Sequence, residues 1–142
     1  MKKQKLVVDF DYNFKLFGII SPASEHKLAW ELNRGLNVNL IKNEDIKINF
    51  LNNKNLIISN FLFGKEESIL RLLKNKSVAM SATNQSFLIP ELKQFDYLLI
   101  IDGFEQTFKP EHVAARLRQI DIIQNVMNLE VLKLKSKENL VF

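Results

Sequence analysis

The sequence predicts an α+β domain in which two to three helices pack on an antiparallel or mixed sheet. Three observations carry this. Apolar residues alternate at Leu6, Val8, Phe10 and Tyr12, and again at Ile46, Ile48 and Phe50, with the two-residue period of a half-buried strand. Residues 95–101 are almost continuously apolar, as a central strand buried on both faces would be. Two further stretches, Leu28, Ala29, Leu32 and Leu36, then Val113, Leu117 and Ile120, keep the helical period, and a proline precedes each.

Taken in order, residues 6–12 read as a strand that continues in more apolar form over 14–20. Ser21-Pro22 is a cap and first-turn signal for a helix near 22–34, and Gly35 suits its left-handed stop. A strand at 46–50, a turn at Asn52-Asn53-Lys54-Asn55 and a return strand over 56–63 form a hairpin. After Gly64, the spacing of Ile69, Leu70, Leu72 and Leu73 predicts a short helix ending near Asn75. Residues 77–89 are extended, 95–101 form the central strand, and Pro110 opens a helix near 110–120. Residues 126–134 read as a last strand and 135–142 as a lysine-rich tail. Phe10-Asp11-Tyr12 and Phe95-Asp96-Tyr97 each precede a strand and a proline-started helix. Two such halves flanking extra strands suggest a ferredoxin-like or related sandwich, although matches this short also arise by coincidence.

The chain has 142 residues, the length of one domain, and 46% apolar against 25% charged residues gives it an ordinary globular balance. It has no cysteine, which removes disulfides, thiolate metal sites and cysteine nucleophiles. Net charge is +4, but sixteen of the twenty cations are lysine, a residue that often serves only as a solvated charge. Asp9 and Asp11 interrupt the apolar stretch after Met1-Lys2-Lys3, so no signal-peptide core forms. No apolar run approaches the roughly 18 residues of a membrane span. The expected location is the cytoplasm.

Ile89-Pro90-Glu91, three intervening residues and then the strand start with Asp96-Tyr97 resemble the signature of the IPExxxVDY family, small bacterial proteins without an assigned activity. The resemblance extends to residues 8–12 and 134–140, and departs at Phe95, which stands where the signature has valine. It implies neither a catalytic residue nor a cofactor. Physically, Pro90 belongs at a strand edge or bend. Glu91 is placed to cap the amides of the following turn. Asp96 and Tyr97 would lie inside the buried strand, where the carboxylate needs a hydrogen-bond partner such as Tyr12 or Tyr97.

No serine elbow, paired-histidine zinc motif or phosphate-binding glycine loop occurs, so no catalytic residue, metal or cofactor is expected. Asp9 and Asp11 share a strand face but read as solvated, and His26 and His112 read as exposed helix residues. Trp30 falls opposite the Leu28–Leu32–Leu36 stripe and, with Phe104 and Phe108, is the candidate interface. Phe61 and Phe63 could add to that surface, although most of these four phenylalanines should be core. Lys133, Lys135 and Lys137 would line one side of an extended tail, and Arg116 and Arg118 could join them in an RNA-binding patch. Gly18 and Gly103 are the only glycines suited to cradle a small ligand. The leading expectation is therefore a non-catalytic module that binds a protein partner or a second copy of itself. An RNA- or ribosome-associated role comes next, and a small-ligand regulatory domain third. No membrane contact is expected.

Overall fold

The computed structural model describes residues 12–49, 55–65, 68–78, 86–103 and 109–142. These form β1 (Lys15–Ile20), α1 (Glu25–Leu36), β2 (Ile41–Asn49), β3 (Asn55–Lys65), β4 (Ser68–Lys74), β5 (Tyr97–Asp102), α2 (Pro110–Arg118) and β6 (Asn125–Leu129). Short 3-10 turns occupy Pro90–Leu92, Val131–Lys133 and Lys137–Leu140. The strands make one sheet in the order β2-β3-β4-β5-β1-β6, antiparallel throughout. Both neighbours of β1 run opposite to it, so β5 and β6 are parallel to each other, and α2 joins them with β1 inserted between. This split βαβ unit is the ferredoxin-like element of an α+β fold that has six strands.

Local chemistry sets the helix ends. Ser24 caps α1, its Oγ accepting from the Lys27 amide at 3.3 Å, and Asn37 closes it in the left-handed region at φ 56°. The expected cap at Ser21-Pro22 is thus three residues early, because the turn 21–24 serves another purpose described below. The expected stop at Gly35 is also corrected, since Gly35 is helical. A Cβ there would stand 2.9 Å from Ile120 Cδ1, so the glycine admits the side chain that follows α2. Pro110 occupies the first turn of α2 as expected.

The sheet separates two apolar layers. On the helical face, Phe17, Ile19, Phe61, Leu70, Leu72, Leu99 and Ile101 meet Leu28, Leu32 and Leu36 of α1 and Val113 and Leu117 of α2. On the opposite face, Leu16, Leu56, Ile58, Leu73, Leu98 and Ile100 meet Leu88, Ile89, Leu92, Phe95, Val131, Leu134 and Leu140. β5 is buried from Tyr97 to Ile101, the central strand expected.

β4 replaces the short helix expected from Ile69 to near Asn75. Leu70 and Leu72 serve the helical face while Leu73 serves the other, and a strand apolar on both faces produces doublets that imitate helical spacing. The last strand stops at Leu129, short of the expected 134, and the 3-10 turns Val131–Lys133 and Lys137–Leu140 follow, with Leu140 buried, in place of an extended tail. The paired halves are out of step. Tyr97 opens β5, whereas Tyr12 precedes β1 by three residues.

Candidate functional site

The Ile89–Tyr97 segment runs beneath the sheet's second face and emerges at one end of the sheet. Asn75, just past β4, is fully buried and holds it in place. Asn75 Nδ2 donates to the carbonyls of Leu92 (2.9 Å) and Phe95 (3.2 Å), and its Oδ1 accepts from the Ile89 amide at 2.9 Å. A chain leaving the ladder here has amides and carbonyls that need partners, and one asparagine supplies both kinds. The side chain was not singled out in the sequence. Pro90 starts a 3-10 turn, the bend expected of it.

Glu91 does not cap the turn that follows it. Its exposed carboxylate accepts from the Ser136 amide at 2.7 Å and the Ser136 hydroxyl at 2.9 Å, tying the segment to the C-terminal turns. Burial pushes this carboxyl up, but the hydrogen bonds from Ser136 and neighbouring amides outweigh it and hold the group below its ordinary value.

Asp96 is exposed, not inside the strand, because β5 begins one residue later. Its backbone amide donates to the Ile19 carbonyl at 2.9 Å, and its Oδ2 accepts from the Ser21 amide, also at 2.9 Å. Neither tyrosine partners it. Tyr97 is buried instead, donating its hydroxyl to the Ala23 carbonyl at 2.6 Å. Burial first, then the charges of Glu25 and Asp96, push this phenol up to about 12. Ser21 Oγ donates to the Ile122 carbonyl and accepts from the Ala23 amide. The turn 21–24 is therefore a junction of β1, β5 and the segment after α2, and this explains why α1 starts late.

At this junction lies a cavity of about 200 Å³, walled by Ser21–Ala23, Phe87, Phe95, Asp96, Tyr97 and three lysines, Lys74, Lys76 and Lys93. Among the described residues, no carboxylate lies within 4 Å of any of these ammonium groups. A second cavity of about 220 Å³ opens on the other face beside Arg71, Phe14, Ile100, Asp102 and Phe142. There the guanidinium already donates to Asn60 Oδ1 at 3.2 Å and stacks 5.0 Å from the Phe142 ring, and burial lowers its pKa.

Trp30 stands on the outer face of α1, 52% exposed, with Lys27 Nζ 5.4 Å and the Arg34 guanidinium 4.7 Å from its ring. Phe104 and Phe108, its expected companions, lie outside the described residues, as do Asp9 and Asp11. Phe61 is buried and Phe63 packs partly buried against the core, so neither adds to the surface around Trp30. The basic residues do not form the expected common patch. Arg116 and Arg118 end α2 on the helical face, whereas Lys133, Lys135 and Lys137 belong to the turns that cover the opposite face. Lys133 also pairs with Glu130 at 2.9 Å.

His26 is exposed and meets the edge of Phe61 at 5.2 Å, and His112 is exposed on the other helix. Gly18 cradles no ligand, since a Cβ on it would lie 2.6–2.9 Å from the Phe95 ring. Gly103 ends β5 at φ 86°, where its carbonyl accepts from Ser68 Oγ at 2.6 Å. Among the described residues no cluster of three or more histidine and acidic side chains is placed to hold a metal ion, and no helix is long and apolar enough to cross a membrane. Comparison with family models, curated proteins and solved structures finds no match to this chain.

Proposed function

We propose that the chain is a non-catalytic interaction module whose protein partner docks on the outer face of α1 around Trp30. The half-exposed indole carries this reading, because an exposed tryptophan on a rigid helix costs little entropy to bury and commonly anchors an interface. Lys27 and Arg34 stack against the ring and steady it, each cation–π contact contributing about 0.5–1 kcal/mol at an exposed site. Lys27 is also paired with Glu31 at 3.9 Å, so Arg34 is the cation that marks this patch, which suits a partner whose apolar pocket carries a carboxylate at its rim. The resemblance of residues 89–97 to a small bacterial family supports a bacterial, cytoplasmic setting.

RNA binding through Lys133, Lys135 and Lys137 draws no support from a shared basic surface, since Arg116 and Arg118 sit across the sheet from them. Affinity capture of partners from native lysate, with light scattering for self-association, compares wild type, Trp30→Ala and a triple lysine-to-glutamine variant at 133, 135 and 137. Trp30→Ala should lose about 30-fold or more in affinity, equivalent to roughly 2 kcal/mol, and the lysine variant should bind normally. Partner retention by Trp30→Ala together with a loss in the lysine variant would replace this reading with the RNA one.

A further inference from the structure

The cavity between the turn 21–24, the end of β4 and the start of β5 has a charge pattern that its own side chains leave unbalanced. Lys74 is paired in register with Tyr97 across the two strands, Lys76 lies two residues further on, and Lys93 comes from the turn that Asn75 holds. Three lysines therefore line one opening together with a single carboxylate, that of Asp96, whose Oδ2 accepts from the Ser21 amide. Three like charges set against one opposite charge repel one another, and a fold has no structural need to collect them at one opening. Arg71 in the other cavity differs, because Asn60 and Phe142 already engage it.

We infer that this cavity binds a small phosphomonoester. A phosphate monoester carries about −1.5 to −2 at neutral pH, which matches the two positive charges left after Asp96 is counted against the lysines. Lysine suits this task as a mobile point charge. The volume, about 200 Å³, equals roughly seven waters at about 30 Å³ each, and it is smaller than the pockets of about 300 Å³ and more that take drug-sized ligands. It therefore takes a phosphate on a short polyol, not a nucleotide. Asp96 lines the cavity with only its Oδ2 engaged by the Ser21 amide, so its carboxylate is available to accept from a polyol hydroxyl, which separates the ester from free phosphate. The half-exposed Phe87 ring closes one side.

The test is a backbone-amide NMR titration of the whole chain with glycerol 3-phosphate, inorganic phosphate and glycerol as separate probes. Glycerol 3-phosphate should shift Ala23, Lys76, Lys93 and Asp96, bind several-fold more tightly than inorganic phosphate, and weaken with added salt. Glycerol should shift nothing. Lys74→Met with Lys93→Met should lower affinity at least tenfold, and Asp96→Asn should erase the preference for the ester over phosphate. Lys76→Gln, at an exposed position, gives a smaller loss and guards against misfolding of the double variant. Trp30→Ala should bind the ester unchanged, which keeps this site separate from the docking face. No shift with either anion at millimolar concentration, or equal affinity for the two, overturns the assignment.

Discussion

The helical face of the sheet is closed by α1 and α2, whose apolar stripes repeat every three to four residues and whose backbone groups largely satisfy one another. The opposite face is closed by a loop and three 3-10 turns, which make only one or two backbone bonds of their own apiece, and polar side chains fasten it. Asn75 clasps the Ile89–Phe95 segment, Glu91 clasps Ser136, and Asn139 Nδ2 donates to the Leu88 carbonyl at 2.8 Å. Comparing the two shows that irregular cover concentrates stability in a few polar residues, whereas helical cover spreads it over many apolar ones.

The sharpest way to break the irregular face is Asn75→Ala. It strands the Phe95 carbonyl and the Ile89 amide in a fully buried place, while the Leu92 carbonyl keeps the Phe95 amide, and each unsatisfied group costs about 1–3 kcal/mol. Urea unfolding should report a loss of about 2 kcal/mol or more. A loss below about 1 kcal/mol would mean that water replaces the clasp.

Gly18→Ala comes next. The added methyl meets the buried Phe95 ring, so overpacking should cost about 1–3 kcal/mol. Phe95→Val in the same chain should recover part of that loss, and the double variant should be more stable than the two single losses predict. Strict additivity would show that the ring moves aside without cost.

The smallest effect belongs to Glu91. Its folded carboxyl sits below the ordinary value, so its contribution is present above about pH 4.3, the unfolded-chain value, and disappears as pH falls through the folded one. Solvent screening at this exposed contact keeps the contribution under about 1 kcal/mol. The protection factor of the Ser136 amide, its exchange rate relative to the intrinsic rate at the same pH, should fall on acidification in wild type, whereas in Glu91→Gln it should be low from the start and lose that pH dependence.

What was legible in the sequence follows the same division. β5, α2 and the buried stripe of α1 were readable because each satisfies a local period. β4 was misread because a strand buried on both faces has lost the alternation that identifies strands. The 3-10 cover has no period to read, so residues 131–140 passed for a strand and a tail. Asn75 gave no signal at all, since its partners lie 14 to 20 positions away in the chain. Lys74, Lys76 and Lys93 belong to no sequence motif, and only the fold brings them to one cavity with Asp96. Asp96 itself was displaced from its expected burial by a single residue in the start of β5.

Strand order has a consequence for how the chain is made. β1 is flanked only by β5 and β6, and Lys15 pairs with Ile101, so roughly eighty residues must leave the ribosome before β1 finds its first neighbour. At about 5–20 residues per second that is a wait of several seconds, during which Leu16, Phe17 and Ile19 have no sheet to enter. The β2-β3-β4 meander, whose pairings are local, can assemble in that interval and offer β4 as the edge for β5. Nascent chains stalled before residue 97 should accordingly be the ones that engage holdase chaperones, and release should coincide with synthesis of β5.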